Sequence, residues 1–352
     1  MARVKVEGIP LVVGHEWAVE LLTRGLATDR LSQAYLFAGP PRVGKTTLAL
    51  YLARALNCLG PDDAPCGTCS ACRRIEQNLH PDVRVIDDTG NRIKIDQIRE
   101  LQREMALSPF EGRWRVYLLC DFQLATLEAA NCLLKTLEEP PARVILILTA
   151  TQPEMLLPTI VSRCQVLSLR HLPIEQVQQA LRTHWGLAPD QAQLLARLSG
   201  GRMGWAIAAS ADDALLRNRE KHFVALEQTL REGRRQRMAL AQQLCQSPEA
   251  LPDVFESWQS WWRDLLLARS GNTSALINVD RKQALQNEAQ HRTVKEMLCC
   301  MRAIDRCAQH VEHNVNPCLA LEVLLLGLPG QTNHGTWPRP DERLDIGLGP
   351  SS

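Results

Sequence analysis

Two groups of residues in this chain have the types and spacing to do chemistry. The first is the run Gly39-Pro40-Pro41-Arg42-Val43-Gly44-Lys45-Thr46, a GxxxxGK[ST] pattern followed by Thr47. Its glycines free the backbone so that N–H groups can wrap a chain of phosphates at a helix N-terminus. Lys45 is placed to reach the terminal phosphates of ATP or ADP, and the Thr46 hydroxyl to hold Mg²⁺. A glycine-rich turn that merely precedes a lysine is the alternative. The second group is Cys58, Cys66, Cys69 and Cys72, spaced C-x7-C-x2-C-x2-C. Two CxxC turns place neighbouring thiolates together and the longer loop returns the first, a set that favours tetrahedral Zn²⁺. Four thiolates fill the coordination shell and leave no place for a reacting water, so such a site is structural. Four buried or redox-active thiols are the other reading.

The elements that must position these groups follow from apolar runs and periodicity. Ala34 to Ala38 is a short continuous apolar run suited to a buried parallel strand. Thr46 to Leu56 carries Leu48, Tyr51, Leu52 and Leu56 at helical spacing, so the phosphate-binding pattern lies between a strand and a helix. Upstream, His15 and Trp17 enter a helical pattern, either as packing residues or beside a nucleotide base. Val83 to Ile86 predicts a strand after His80-Pro81-Asp82, and a helix with Ile95, Ile98, Leu101 and Met105 follows. Val116 to Asp121 reads as a second buried strand ending in a carboxylate, as a Walker B strand does. Leu127 to Leu137 is helical and stops at Pro140-Pro141. Val144 to Leu148 is a third buried strand, and Gln165 to Leu169 a fourth after Ser162-Arg163-Cys164. Strands alternating with helices predict an α/β fold with an open, mostly parallel sheet flanked by helices.

Beyond Pro173 the pattern is helical throughout. Residues 171–210 predict a small helical lid, and residues 211–330 an all-α domain carrying Trp258, Trp261 and Trp262. Residues 1–170 then hold the nucleotide-binding domain, with the cysteine module at 58–72. Residues 331–352, rich in Pro, Gly, Asn and Asp, read as a disordered tail.

The length of 352 residues suits two or three domains. A net charge of +1 gives no strong polyanion-binding field. No signal-peptide pattern or membrane-spanning run is visible, which predicts a cytoplasmic protein. In that compartment the twelve cysteines are better explained by metal binding and burial than by disulfides.

Together the phosphate-loop pattern, the four-cysteine insert after its helix, His80-Pro81-Asp82, the run Leu133-Leu134-Lys135-Thr136-Leu137-Glu138-Glu139-Pro140-Pro141 and Ser162-Arg163-Cys164 resemble bacterial clamp-loader subunits. The resemblance covers residues 10–328. It implies a P-loop AAA+ module of two domains followed by a helical collar, in a hetero-pentamer with gamma/tau and delta subunits. Such an assembly of the DNA polymerase III system opens the sliding clamp and places it on primed DNA.

Two patterns of subunit fit, an ATP-hydrolysing motor of gamma or tau type and a delta-prime type. A motor needs an Asp–Glu pair at the end of the Walker B strand. Motor spacing puts the Asp at Cys120 and the Glu at Asp121; delta-prime spacing makes Asp121 the only acid. Phe122 comes next, so one carboxylate stands where hydrolysis requires two. A thiol is a poor Mg²⁺ ligand, and hydrolysis at this chain's own site is expected to be weak or absent.

The motor pattern also has a lid arginine in a Gly-Ser-x-Arg-Asp-Ala context. Here Gly201 to Ala206 leaves Gly204 at that place, with Arg202 offset by two. The resemblance implies that Arg163 is an arginine finger inserted in trans into a neighbouring subunit's ATP site; a plain surface arginine is the alternative. Asn314 to Glu322 looks like a delta-prime collar ending. The reading is therefore of delta-prime type, with a motor ATPase and a nucleotide-free scaffold as alternatives. Lys135 either faces DNA or is simply exposed.

Overall fold

The computed structural model describes residues 12–60, 64–87, 92–312 and 315–330. Asn314 and the tail expected at 331–352 lie outside the described residues. The chain divides into two compact units, Met1–Asp212 and Asp213–Ser352. Among the described residues no helix is long and apolar enough to cross a membrane.

The first unit runs α1 (Glu16–Ala27), β1 (Ala34–Ala38), α2 (Lys45–Asn57), α3 (Ser70–Glu76), β2 (Val83–Ile86), α4 (Ile95–Met105), β3 (Arg115–Leu119), α5 (Leu127–Glu138), β4 (Val144–Ala150), α6 (Pro158–Val161), β5 (Gln165–Ser168), α7 (Ile174–Trp185), α8 (Pro189–Leu198) and α9 (Met203–Ala211). The five strands pair in parallel in the order β2-β3-β4-β1-β5. Side chains alternate across the pleat. Tyr35, Phe37, Val116, Leu118, Ile145 and Ile147 face the core under α1 and α2. Ala34, Leu36, Tyr117, Leu119, Leu146 and Leu148 face the core under α4 and α5. Helices cover both faces, which is why the strands read as continuous apolar runs.

Two buried polar side chains fix the entry to β3. Asn57, at the end of α2, accepts from the backbone N–H of Arg113 and Trp114 at 2.9 and 3.0 Å. Its amide donates to the Trp114 carbonyl at 3.1 Å. Asp82 accepts from Phe110, Glu111 and Gly112 N–H at 2.7, 2.9 and 2.7 Å. The loop before β3 is thereby tied to the helix that follows the phosphate loop. Burial alone pushes the Asp82 carboxyl up, but the three amides together with Arg115 outweigh it and hold it below the ordinary aspartate value.

The second unit contains α10 (Ala214–Arg231), α11 (Arg234–Leu244), α12 (Leu251–Arg269), α13 (Lys282–His291), α14 (Val294–Glu312) and α15 (Pro317–Gly327). Trp258 and Trp262 are fully buried at the centre of its core. Arg237 of α11 donates to the Leu325 and Leu328 carbonyls, capping the C-terminal end of α15. The Asp264 carboxylate, buried in α12, accepts from the N–H groups of Ile277 and Asn278 at 3.0 and 2.7 Å.

One expectation is corrected here. Cys245 and Cys318 form a disulfide, with Cα atoms 5.2 Å apart and 73 residues between them in sequence. Packing of α11 against α15 brings together two thiols that no local spacing associates. The other cysteines among the described residues are free thiols.

Asp82→Asn is expected to lower the unfolding free energy by about 2–3 kcal/mol at neutral pH, since the neutral amide is a weaker acceptor for three amides and leaves Arg115 uncompensated. A depressed carboxyl contributes stability above its unfolded pKa and loses it as pH falls through the folded value. The gap between wild type and variant should therefore close in acid. Urea midpoints across a pH series check this, and a gap that stays constant at all pH would refute it.

Candidate functional site

The phosphate loop spans the turn from β1 to α2. Gly39 donates its N–H to the Ala150 carbonyl of β4 at 3.1 Å, and a Cβ on Gly39 would lie 2.4 Å from the Leu169 carbonyl oxygen. Arg42 and Gly44 both have left-handed backbone, with φ of 60° and 116°. Gly44 is the N-cap of α2, and Thr46 and Thr47 lie in its first turn, where the N–H groups have no intrahelical partner. Pro40 and Pro41 form the outer turn and Val43 is buried beneath it. Lys45 is buried, and its Nζ donates to the Gly39 and Pro40 carbonyls at 2.6 and 3.0 Å. Burial lowers its pKa, opposed by the nearby Asp121 carboxylate and then Cys120.

The expected strand through Asp121 ends sooner. β3 stops at Leu119, and Cys120 still donates its N–H to the Ile86 carbonyl at 2.9 Å. Asp121 turns away with left-handed φ and ψ of 46° and 52°. Its N–H is held by Thr149 Oγ1 of β4 at 2.9 Å, and its carboxylate accepts from Gln123 at 3.4 Å. The buried Cys120 thiol is the group that faces the Thr46 hydroxyl. Burial pushes that thiol up to about 12, with the Asp87 and Asp121 charges adding to the effect. Cys120 thus lies by Thr46, with Asp121 one position beyond and its charge felt by Lys45.

Helix α9 meets the phosphate loop through backbone. Gly204, in the first turn of α9, donates its N–H to the Arg42 carbonyl at 2.9 Å. A Cβ there would lie 2.7 Å from the same oxygen. Arg202 is the N-cap residue of α9, its Nε donating to the Ser199 carbonyl at 2.8 Å and its guanidinium over the Trp205 ring.

The four candidate metal ligands come together. The sulfurs of Cys58, Cys66, Cys69 and Cys72 all lie within 4.8 Å of one another. Backbone N–H groups point at them: Gly60 and Cys66 to Cys58, Cys69 to Cys66, and Cys72 to Cys69, at 3.3 to 3.4 Å. The Cys69 amide, then that of Thr68, holds the Cys66 thiol down to about 6, so it is poised to be a thiolate. Four sulfurs so close, with amide donors already in place, can share one metal ion.

Arg163 follows α6 at the surface. Its Nη2 pairs with Glu138 at 2.6 Å, and its Nη1 donates to the Thr159 carbonyl at 2.9 Å. Lys135 is exposed on α5.

Three residues make contacts that the sequence reading did not foresee. His15 is 3 % exposed and hydrogen-bonded to the Val43 backbone, which makes it a support of the phosphate loop. Thr149 anchors Asp121, and its only signal is a hydroxyl ending an otherwise apolar strand. Gly204 reads in sequence as a lost arginine, whereas its position is one of close backbone approach.

The parallel sheet, its phosphate loop and helices α7–α9 make an α/β P-loop fold. The sequence models of two families match, "DNA polymerase III, delta subunit" over residues 14–173 and "DNA polymerase III, delta subunit, C terminal" over residues 213–329. The delta' subunit of DNA polymerase III from Bacillus subtilis is 31% identical over 319 residues, covering 88% of this chain and 94% of that protein. The tau subunit from Salmonella typhimurium is 40% identical over 198 residues, 54% of this chain. This chain spans about a third (31%) of that longer relative. A gamma subunit-related protein from Thermotoga maritima aligns structurally over 86% of this chain and 97% of its own, with a TM-score of 0.42 and 19% identity. The chain belongs to the family of DNA polymerase III delta' subunits.

Gly204→Ala is expected to push α9 off the phosphate loop, since both partners are backbone and neither can rotate aside. The cost should be about 1–3 kcal/mol, as for other overpacked sites. Thermal unfolding combined with hydrogen exchange at residue 204 checks this; an unchanged melting temperature with a still-protected amide would exclude the close approach.

Proposed function

We propose that this chain acts as the delta-prime member of a clamp loader. In that reading it assembles with gamma/tau and delta subunits as a hetero-pentamer that places the sliding clamp on primed DNA. Its phosphate loop, Gly39 to Thr47, holds ATP or ADP but cleaves it slowly or not at all. Residues 171–210 act as the lid and 211–330 as the collar that joins subunits, and the protein works in the cytoplasm.

The observation that carries this reading is the buried Cys120 thiol across from Thr46. A hydrolytic site needs a carboxylate there to hold Mg²⁺ and a second to orient water. Asp121 is the single acid at this strand end, and Gly204, packed closely on Arg42, puts no side chain at the place of the motor pattern's lid arginine. A phosphate-binding cradle with neither device supports a binding subunit rather than a motor.

Arg163 is the group that serves a neighbour's reaction in this reading. Its pair with Glu138 is exposed on both sides, 34% and 52%. Such surface pairs contribute about 0–1 kcal/mol, so the guanidinium can exchange Glu138 for a phosphoryl group on a partner at little cost. There it would neutralise charge developing on the transferred phosphoryl group.

The four cysteines suit structural Zn²⁺ best. Tetrahedral Zn–S bonds of about 2.3 Å require sulfurs about 3.8 Å apart, compatible with the observed cluster. Metal analysis of the purified chain should find one zinc per chain, and Cys69→Ser should lose it together with several kcal/mol of stability. A full zinc complement in that variant would show that the cluster is not the ligand set.

The functional test is a reconstituted loader carrying Arg163→Ala in this subunit alone. Turnover at the one site it faces should fall by about 10³-fold or more, read as a drop in DNA-stimulated hydrolysis by the assembly. Undiminished hydrolysis would remove Arg163 from the mechanism. Motor-like, DNA-stimulated turnover by the isolated chain would overturn the delta-prime reading itself.

A further inference from the structure

AAA+ phosphate loops ordinarily bind nucleotide with Mg²⁺, and the residues of this site do not fit that ion. Mg²⁺ demands near-octahedral oxygen donors at about 2.0–2.1 Å. Across from the Thr46 hydroxyl the chain offers the Cys120 sulfur, soft, 7% exposed and one residue past the end of β3. Burial keeps it a neutral thiol, so it supplies neither the charge nor the hardness the ion requires.

Among the described residues the acids beside this site are Asp121, whose charge is felt by Lys45, and Asp87, and neither stands in the place of Cys120. Asp121 is held beyond the strand by its left-handed turn and by Thr149, and its carboxylate takes the Gln123 amide. Asp87 is an exposed residue off the end of β2, the strand beyond β3, and its charge raises the Cys120 thiol. What the loop does offer a polyphosphate is direct positive charge. Lys45 is buried among the loop carbonyls of Gly39 and Pro40, and α2 presents the unpaired amides of its first turn.

We infer that the phosphate loop of this chain binds nucleoside di- and triphosphates as metal-free polyanions, their charge met by Lys45 and the first turn of α2, with Cys120 as the residue that excludes Mg²⁺. This rests on the reading above that the loop binds nucleotide. Nucleotide occupancy in this subunit is then indifferent to free Mg²⁺, unlike that of a motor subunit.

The test is equilibrium titration of the full chain with fluorescent ADP and fluorescent ATP, in EDTA and in excess Mg²⁺ at matched ionic strength. The two dissociation constants for each nucleotide should agree within about threefold; a larger tightening by Mg²⁺, toward the tenfold that corresponds to 1.4 kcal/mol, overturns the inference. Cys120→Asp places a carboxylate opposite Thr46 and should make binding at least about tenfold tighter with Mg²⁺ than without. If that variant folds and stays insensitive to Mg²⁺, the thiol is not the cause and the assignment falls. If it does not fold, the wild-type comparison decides alone. Failure of the underlying reading looks different: neither nucleotide binds in either buffer, and Lys45→Ala is indistinguishable from wild type.

Discussion

The phosphate loop is walled by backbone rather than by side chains, and much of the first unit depends on that crowding. On one side the Leu169 carbonyl approaches Gly39 so closely that a methyl group would overlap it. On another, the first turn of α9 rests its Gly204 amide on the Arg42 carbonyl. Such contacts are short, directional and cannot yield by a rotamer change. They fix the loop, the end of β5 and the start of α9 as one piece, so the placement of α9 is set by hydrogen bonding within the chain before any ligand is considered.

The same logic operates at a distance from the loop. Asn57 closes α2 and at the same time takes two amides from the approach to β3, while Asp82 takes three more from the loop just before. Buried polar groups that are fully satisfied specify one geometry strongly, because every alternative strands a donor. Cys120 and Thr46 therefore face each other as a result of hydrogen bonds made more than a strand's length away. In the second unit Asp264 and Arg237 do comparable work for all-helical packing, one gathering a loop and the other ending the last helix.

Much of this was legible in the sequence, and the exceptions share a cause. Strand β1 falls on Ala34–Ala38 as its apolar run predicts, and the four cysteines converge as their spacing predicts. Both features are local: a run or a repeat contains its own instruction. The register at Cys120 was ambiguous in sequence because a strand's end is decided by its neighbours, here the Ile86 carbonyl and the Thr149 hydroxyl. Gly204 was legible as a departure from an arginine but not as a contact, since its partner lies on a different element. The Cys245–Cys318 bond joins helices that only the folded core brings together.

The two chemical groups of the first unit sit at opposite ends of a single rod. Gly44 is the N-cap of α2 and Cys58 its C-cap, with 13 helical residues between them. At about 1.5 Å and 100° per residue, that rod is about 20 Å long and has a fixed phase. A single inserted or deleted residue in α2 would swing Cys58 through more than a quarter turn about the helix axis and carry it away from the three sulfurs it must join. The length of α2 is thus set by two sites at once, and the helix tolerates exchange of its side chains far better than any change in their number.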